Sequence, residues 1–330
     1  MVKYVIKRIL LSVAILLGVS LILYTLVRLM PTDYIENQVL STLGSQSTGI
    51  DLDARIAEMK AYYGLDGSVL EGYWNWLVRA VQGDFGNSLI SGDKVVEDIF
   101  ENMGISFGIS LVSLVLQLII AIPLGVKCAC NQYGKLDYFA TVLTMIGISF
   151  PTFFFGAIVI KFFAVDLGWF EVGGLHSSLP VGASDWTIFV DMMWHLVLPI
   201  AVLTILSIGS WLRYTRTNTL EVLNADYIRT ARAKGLSENS VIYKHVFRNT
   251  LIPLVTLLAG TLPSLFGGAM ITETVFDLPG IGNTAYKALR QGDIPFIMGY
   301  NMFIAVLTII GILLTDIMYA VVDPRVKLGD

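Results

Sequence analysis

Six long apolar stretches alternate with polar ones along this chain, near 9–30, 104–126, 138–165, 195–213, 250–272 and 296–322. A helix needs roughly 20 apolar residues to cross a hydrocarbon core about 30 Å thick, and each stretch is long enough. The pattern therefore predicts an all-α, polytopic membrane protein with six transmembrane helices. The stretches are rich in helix breakers. Pro123, Pro151, Pro199, Pro253 and Pro263 lie in or at the ends of spans, with Gly260, Gly267 and Gly268 beside the last. Proline removes a backbone bond and kinks a helix, which membranes tolerate where neighbouring helices or a cavity satisfy the freed groups. A bundle around a central path fits, and so does a set of ordinary membrane helices. Gly104 and Gly108 form a G-x-x-x-G pair suited to close helix packing.

The polar stretches have patterns of their own. Residues 31–103 are too long and too patterned for a linker. They contain the helical run DLDARIAEMKAYYGLD and the aromatic group Tyr73, Trp74 and Trp76. Helical spacing with aromatics predicts a small subdomain at the membrane surface. Residues 46–48, between Gly44 and Gly49, read as a turn, and 95–103 as an amphipathic lead-in to the second span.

Composition agrees. The chain is 15% charged and 55% hydrophobic, against about 25% charged for soluble domains. A net charge of −4 makes nucleic acid an unsuitable partner. Lys3, Lys7 and Arg8 precede about 20 apolar residues with no small-residue cleavage site before Pro31, so the N-terminus reads as an uncleaved first helix rather than a signal peptide.

Basic residues then set an expected orientation. The N-terminus, 127–137, 213–249 and the tail with Arg325 and Lys327 fall on one side of a six-helix chain, and 213–249 alone holds seven Lys or Arg. Residues 167–194 hold none. Both termini are therefore expected in the cytoplasm. The expected divisions are a cytoplasmic N-terminus and first helix (1–30), an external subdomain (31–103), a five-helix core (104–322) with a cytoplasmic loop at 213–249, and a cytoplasmic tail (323–330).

Candidate chemistry is sparse. No G-x-x-x-x-G-K-[ST] phosphate loop is present. His176, His195 and His245 lack metal-ligand spacing, and the Cys128/Cys130 pair has no nearby third ligand. Catalytic, cofactor and metal residues are therefore expected to be none. Asp316 is an acid inside a span, which makes it a functional candidate. It lies near the span's end, where snorkelling or a hydrogen bond to a neighbouring helix explains it better than a proton relay. Gln117 and Asn301 read as interhelical glue.

The loop DYIRTARAKGLSENSVIYKHVFRNTLIP, residues 226–253, is the strongest local signal. Tyr227, Ala231 and Lys234 are spaced to share a helix face. Gly235 suits a left-handed C-cap, and Ser237 suits the N-cap of a following helix. Helix, tight turn and helix follow, with Ala231 allowing close approach. A basic loop on lipid headgroups would satisfy the charge alone.

These segments also resemble the dipeptide and oligopeptide class of ABC importer permeases, the DppB/OppB-like subunit. The opening helix 4–33, GLDGSVLEGYWNWLVRAVQGDFGNSL, IPLGV at 122–126, SFPTFFFG, DYIRTARAKGL, ETVFDLPGIG at 273–282 and DPR occur in that family's order nearly end to end. The general importer loop carries Glu-Ala-Ala six residues before its glycine. Here Arg229, Thr230 and Ala231 stand there, and Leu251 lies further on, as is typical of the peptide branch.

The resemblance implies a type I ABC importer permease fold and no enzyme activity in this chain. ATP and Mg would be used by two separate cytoplasmic ATPase subunits, docked on the loop through Asp226, Tyr227, Arg229, Ala231, Arg232, Lys234 and Gly235. A second, similar permease would supply the other half of the pathway. An extracellular or periplasmic binding protein would deliver di- or oligopeptides, or alternatively nickel or glutathione. It could meet Glu273, Asp277, Pro279 and Gly280, although a capped loop fits that turn equally well. The implied location is a bacterial cell membrane. A proton-coupled secondary transporter resting on Asp316 is the reading from a different class.

Overall fold

The computed structural model describes residues 2–29 and 68–322. The run 51–66, the turn at 46–48 and the DPR tail lie outside the described residues.

The described chain is helical, with no strand. Four helices are long and apolar enough to span: Ile6–Arg28, Val95–Cys130, Asp185–Leu223 and Ile294–Met318. Two bent pairs complete a count of six: Lys135–Ser149 with Thr152–Asp166, turned by 101°, and Glu238–Gly260 with Leu262–Val275, turned by 48°. The first bend falls where Phe150 is extended before Pro151 (φ −78°, ψ 127°), because a residue preceding proline is pushed out of the helical region. Pro123 and Pro199 lie inside continuous helices. Helices run past the apolar stretches: 95–103 is the first part of the second span, and 213–223 is the last part of the fourth. The basic loop is therefore shorter than 213–249, because polar residues continue a helix once its apolar part is held.

The chain forms two compact units. The first comprises the described residues of 1–104 with 284–310. Ser68 caps its Val69–Val81 helix, accepting from Glu71 N at 3.3 Å and donating to the Glu71 carboxylate at 3.1 Å. Trp76 is buried with Tyr24, Ile294, Met298 and Met302, and Tyr73 Oη lies 2.8 Å from Ser20 Oγ. Two members of the aromatic group thus serve a core shared with the first helix, while Trp74 is exposed. Asp293 is buried and accepts from Ser88 Oγ at 2.5 Å, Ile90 N at 3.3 Å and Phe296 N at 3.2 Å. It thereby caps the last span. Asn301 bonds Ile297 O of its own helix at 2.7 Å, so it satisfies itself locally rather than gluing two helices.

The second unit comprises 105–283 with the described residues from 311. Its core joins Ile109, Val159, Leu196, Leu198, Val202, Phe276 and Leu278. Close approach is set by small residues. A Cβ at Gly125 would lie 2.8 Å from Thr215 Cβ, and one at Gly209 would lie 3.0 Å from Thr144 Cβ. By contrast, among the described residues nothing lies within 4 Å of a Cβ placed at Gly104 or Gly108. Gln117 Nε2 donates to Leu203 O at 3.3 Å, between helices as expected. Asp316 is partly buried on the last helix.

Candidate functional site

Three features in the second unit can carry function: the hairpin that follows Leu223, a buried carboxylate knot at 268–283, and a polar cavity.

The hairpin starts where Asp185–Leu223 ends at Asn224. Asp226–Ala233 forms a two-turn helix, and Gly235 takes φ +79°. That left-handed conformation is strained for side chains with a Cβ, which explains glycine here. Ser237 occupies the next N-cap position but makes no side-chain capping bond. A π-helical turn, Val241–Val246, then leads into Phe247–Gly260. Arg232 closes the hairpin, donating from Nη2 to Glu238 Oε1 at 2.6 Å and from Nε to Oε2 at 3.1 Å.

The expected face divides. Ile228 and Ala231, three residues apart, are buried against Val241 and Val246, with Val222 and Leu223 packed alongside. Ala231 is only 7% exposed. A small residue is needed there so that the two arms of the hairpin can approach. The reading that packs Ala231 directly against another protein is corrected accordingly, since its contacts are made at home. Asp226, Tyr227, Arg229, Arg232, Lys234 and Gly235 are exposed. Leu236 and Tyr243, which sequence reasoning did not single out, join them, Tyr243 at 73% exposure. An aromatic left outside a buried-face pattern was the available signal. Partial desolvation, with the Glu221 carboxylate close by, raises the Tyr227 phenol above its ordinary pKa; the phenol is neutral at physiological pH with or without that shift and can donate a hydrogen bond.

The hairpin stands on a fixed base. Arg216, about two turns before Leu223, forks onto Asp137 with bonds of 2.6 and 2.7 Å. Asp137 also accepts from Tyr133 N at 2.9 Å. Arg216 is one of the seven basic residues of 213–249, whose charge a loop on lipid headgroups would have satisfied. It is instead the partner of a buried acid on a neighbouring helix.

The second feature overturns part of the expected external contact. Glu273 is fully buried. Its carboxylate accepts from Ser106 Oγ at 2.7 Å, Ala269 N at 2.8 Å and Asn283 N at 3.0 Å. Ser106 Oγ in turn accepts from Ile281 N at 2.9 Å. Gly280 is pressed against Glu273 and Ser106, where a Cβ would collide with both. Glu273 and Gly280 are therefore inaccessible to a docked protein. Asp277, with φ +46°, and Pro279 are exposed at the turn.

The third feature is a cavity of about 580 Å³ between parts of the second to fifth spans. Ser110, Ser113 and Gln117 come from one helix, Ser207 and Ser210 from another, and Ser264 from a third. The cavity reaches Gly268 and Ala269, beside the Glu273 knot. Among the described residues, no group of three or more His, Cys, Asp or Glu is placed to hold a metal.

Spans broken by proline, a small hairpin on the end of a long helix and a polar cavity between the spans together describe a membrane permease. The chain belongs to the family of binding-protein-dependent transport system inner membrane components, which it matches over residues 121–328, with the family's N-terminal component matching 1–95. It is similar to the oligopeptide transport system permease protein AppB of Bacillus subtilis (strain 168), 39% identical over 328 residues, covering 99% of this chain and all of the relative. It is 33% identical to the dipeptide transport system permease protein DppB of the same organism over 329 residues, with 99% of each chain covered. The glutathione transport system permease protein GsiC of Escherichia coli (strain K12) is 31% identical over 328 residues, again with 99% of each covered. The protein is thus a multi-pass permease subunit of an ABC importer, a transport subunit rather than an enzyme. That membership sets aside the secondary-transporter reading.

Proposed function

We propose that this permease forms half of the translocation pathway of an importer for di- or oligopeptides. A second, similar permease supplies the other half, and two ATPase subunits, which carry the ATP and Mg, dock on the hairpins. A binding protein outside the membrane delivers cargo near Asp277 and Pro279. Both termini and the hairpin face the cytoplasm, and 167–194 lies outside. The orientation rests on seven basic residues in 213–249 against none in 167–194.

The observation that carries the coupling role is the exposed set Tyr227, Arg229, Lys234, Leu236 and Tyr243, held on a hairpin with its own closed core. Aromatic and basic side chains on a stiff support are what a partner-binding surface needs. Asp226 and Arg232 belong to the same hairpin, the latter by closing it onto Glu238. Gly235 sets the turn and Ala231 the core. Alternating access then follows from movement of packed helices as the ATPase pair closes.

The peptide cargo rests on two relatives named for peptides. The glutathione relative favours a second reading of the same class, with that γ-linked tripeptide as cargo. The test is purification in mild detergent from cells that co-express a second permease, ATPase subunits and a binding protein of this importer class, followed by reconstitution. Co-purifying ATPases and ATP-dependent uptake of labelled dipeptide or tripeptide are expected. An active chain isolated without ATPases would overturn the coupling role. Uptake of glutathione alone would select the second reading.

A further inference from the structure

The polar groups lining the 580 Å³ cavity are all uncharged. Ser110, Ser113 and Gln117 recur at steps of three and four along one helix, and Ser207 and Ser210 three apart on another. Such spacing turns each set toward one side of its helix. Ser264 enters from a third helix. Ser113 Oγ and Gln117 Nε2 are anchored to Ile200 O and Leu203 O of the facing helix, both at 3.3 Å. Leu114, Leu203, Leu206 and Leu265 fill the intervals. Among the described residues, no Asp, Glu, Lys or Arg lines the cavity. Its volume is within the range of about 300–1,000 Å³ that holds small ligands.

We infer that this cavity is a charge-blind binding site for the peptide backbone. The inference rests on the peptide reading above and adds how the cargo is held. A hydroxyl both donates and accepts, and it rotates to suit its partner. The Ser110, Ser207 and Ser210 hydroxyls can therefore meet either the N–H or the C=O of an extended chain without fixing its register, whereas Ser113 and Ser264, whose protons go to Ile200 O and Thr261 O, are left to accept. The Gln117 amide adds a donor and an acceptor in one plane. The leucines between them tolerate side chains without selecting one. A charged lining residue would favour cargo of opposite sign and repel cargo of its own, and the cavity places none there. This chain's lining thus contributes no discrimination by charge.

The test uses the complete importer in liposomes, with both permeases, both ATPases and the binding protein. The probes are Ala-Ala-Ala, Lys-Lys-Lys and Asp-Asp-Asp. Uptake of each is normalised to its affinity for the isolated binding protein. The unaltered importer should carry all three at normalised rates within about threefold. Ser207→Asp should shift the Lys-Lys-Lys to Asp-Asp-Asp ratio by about tenfold toward the cationic peptide, and Ser207→Asn should leave the ratio unchanged. Gln117→Leu should slow all three equally while binding-protein-stimulated ATP hydrolysis persists, which separates cargo contact from assembly. A large intrinsic preference for one charge, or a ratio unmoved by Ser207→Asp, overturns the inference while leaving the peptide reading intact. No uptake of any peptide overturns both.

Discussion

Arg216 and Asp137 stand 79 residues apart in the chain, and the guanidinium of one forks onto the carboxylate of the other. Asp137 is almost fully buried, while Arg216 is partly exposed. The pair fastens the helix that leads into the hairpin to its neighbour. A lysine cannot reproduce the fork, because its ammonium is a single point. Arg216→Lys should therefore cost on the order of 1–3 kcal/mol, and Arg216→Met, which strands a buried carboxylate, roughly 3–5 kcal/mol. The thermal midpoint of the purified protein should fall in the order unaltered, Lys, Met. Equal midpoints would show that the pair does nothing for stability.

Gly235 tests backbone conformation without steric conflict. Nothing lies within 4 Å of a Cβ built there, yet φ is +79°. A β-branched residue pays for that angle with strain of about 1–3 kcal/mol, whereas asparagine tolerates it. Gly235→Val should reduce ATPase retention and uptake, and Gly235→Asn should keep most of both. If the two behave alike, the left-handed turn is not what matters.

Ala231 and Tyr243 separate the inside of the hairpin from its outside. Ala231→Glu forces a charge into a closed apolar cluster and should unfold the hairpin, seen as rapid proteolysis within 226–249. Tyr243→Ala should leave proteolysis unchanged while weakening ATPase retention by about tenfold, the scale of a lost interface anchor. Intact retention by Tyr243→Ala would remove that face from the docking proposal.

Gly280 and Glu273 give a packing prediction. Gly280→Ala places a methyl group against the buried carboxylate and the Ser106 hydroxyl. Overpacking of this kind typically costs about 1–3 kcal/mol. The midpoint should drop. A stable Gly280→Ala protein would mean the knot can relax.

Orientation can be read by single cysteines at Ser178 and Ser237, both exposed, in a protein with Cys128→Ala and Cys130→Ala. An impermeant thiol reagent on intact cells should label the first and spare the second. The reverse pattern would invert the proposed topology.

The spans were legible because hydropathy depends on local composition, and the chain's long apolar runs lie within the helices that cross. Gly235 was legible too, since a backbone angle is a property of one residue and its turn. What failed depended on contacts distant in sequence. Nothing near Asp137 announces Arg216. Glu273 looked external because Pro279 and Gly280 read as a surface turn, while the clustering of Gly268, Gly280 and Gly282 around it was the unread sign of close approach. Ala231 shared a predicted face with Tyr227 and Lys234, but the second arm of the hairpin, which buries only Ile228 and Ala231 of that helix, could not be seen from spacing alone.

The helix from Asp185 to Leu223 is 39 residues long, roughly 58 Å at 1.5 Å per residue. Ser207 and Ser210 project from it into the cavity, and its end begins the hairpin. Arg216 lies between these serines and the hairpin, forked onto Asp137. Asp137 belongs to the helix Lys135–Ser149, whose Gly147 and Ile148 line the same cavity. Two walls of the cavity are thus braced together at the root of the hairpin, so that a push arriving there is shared between them rather than taken up by one helix alone.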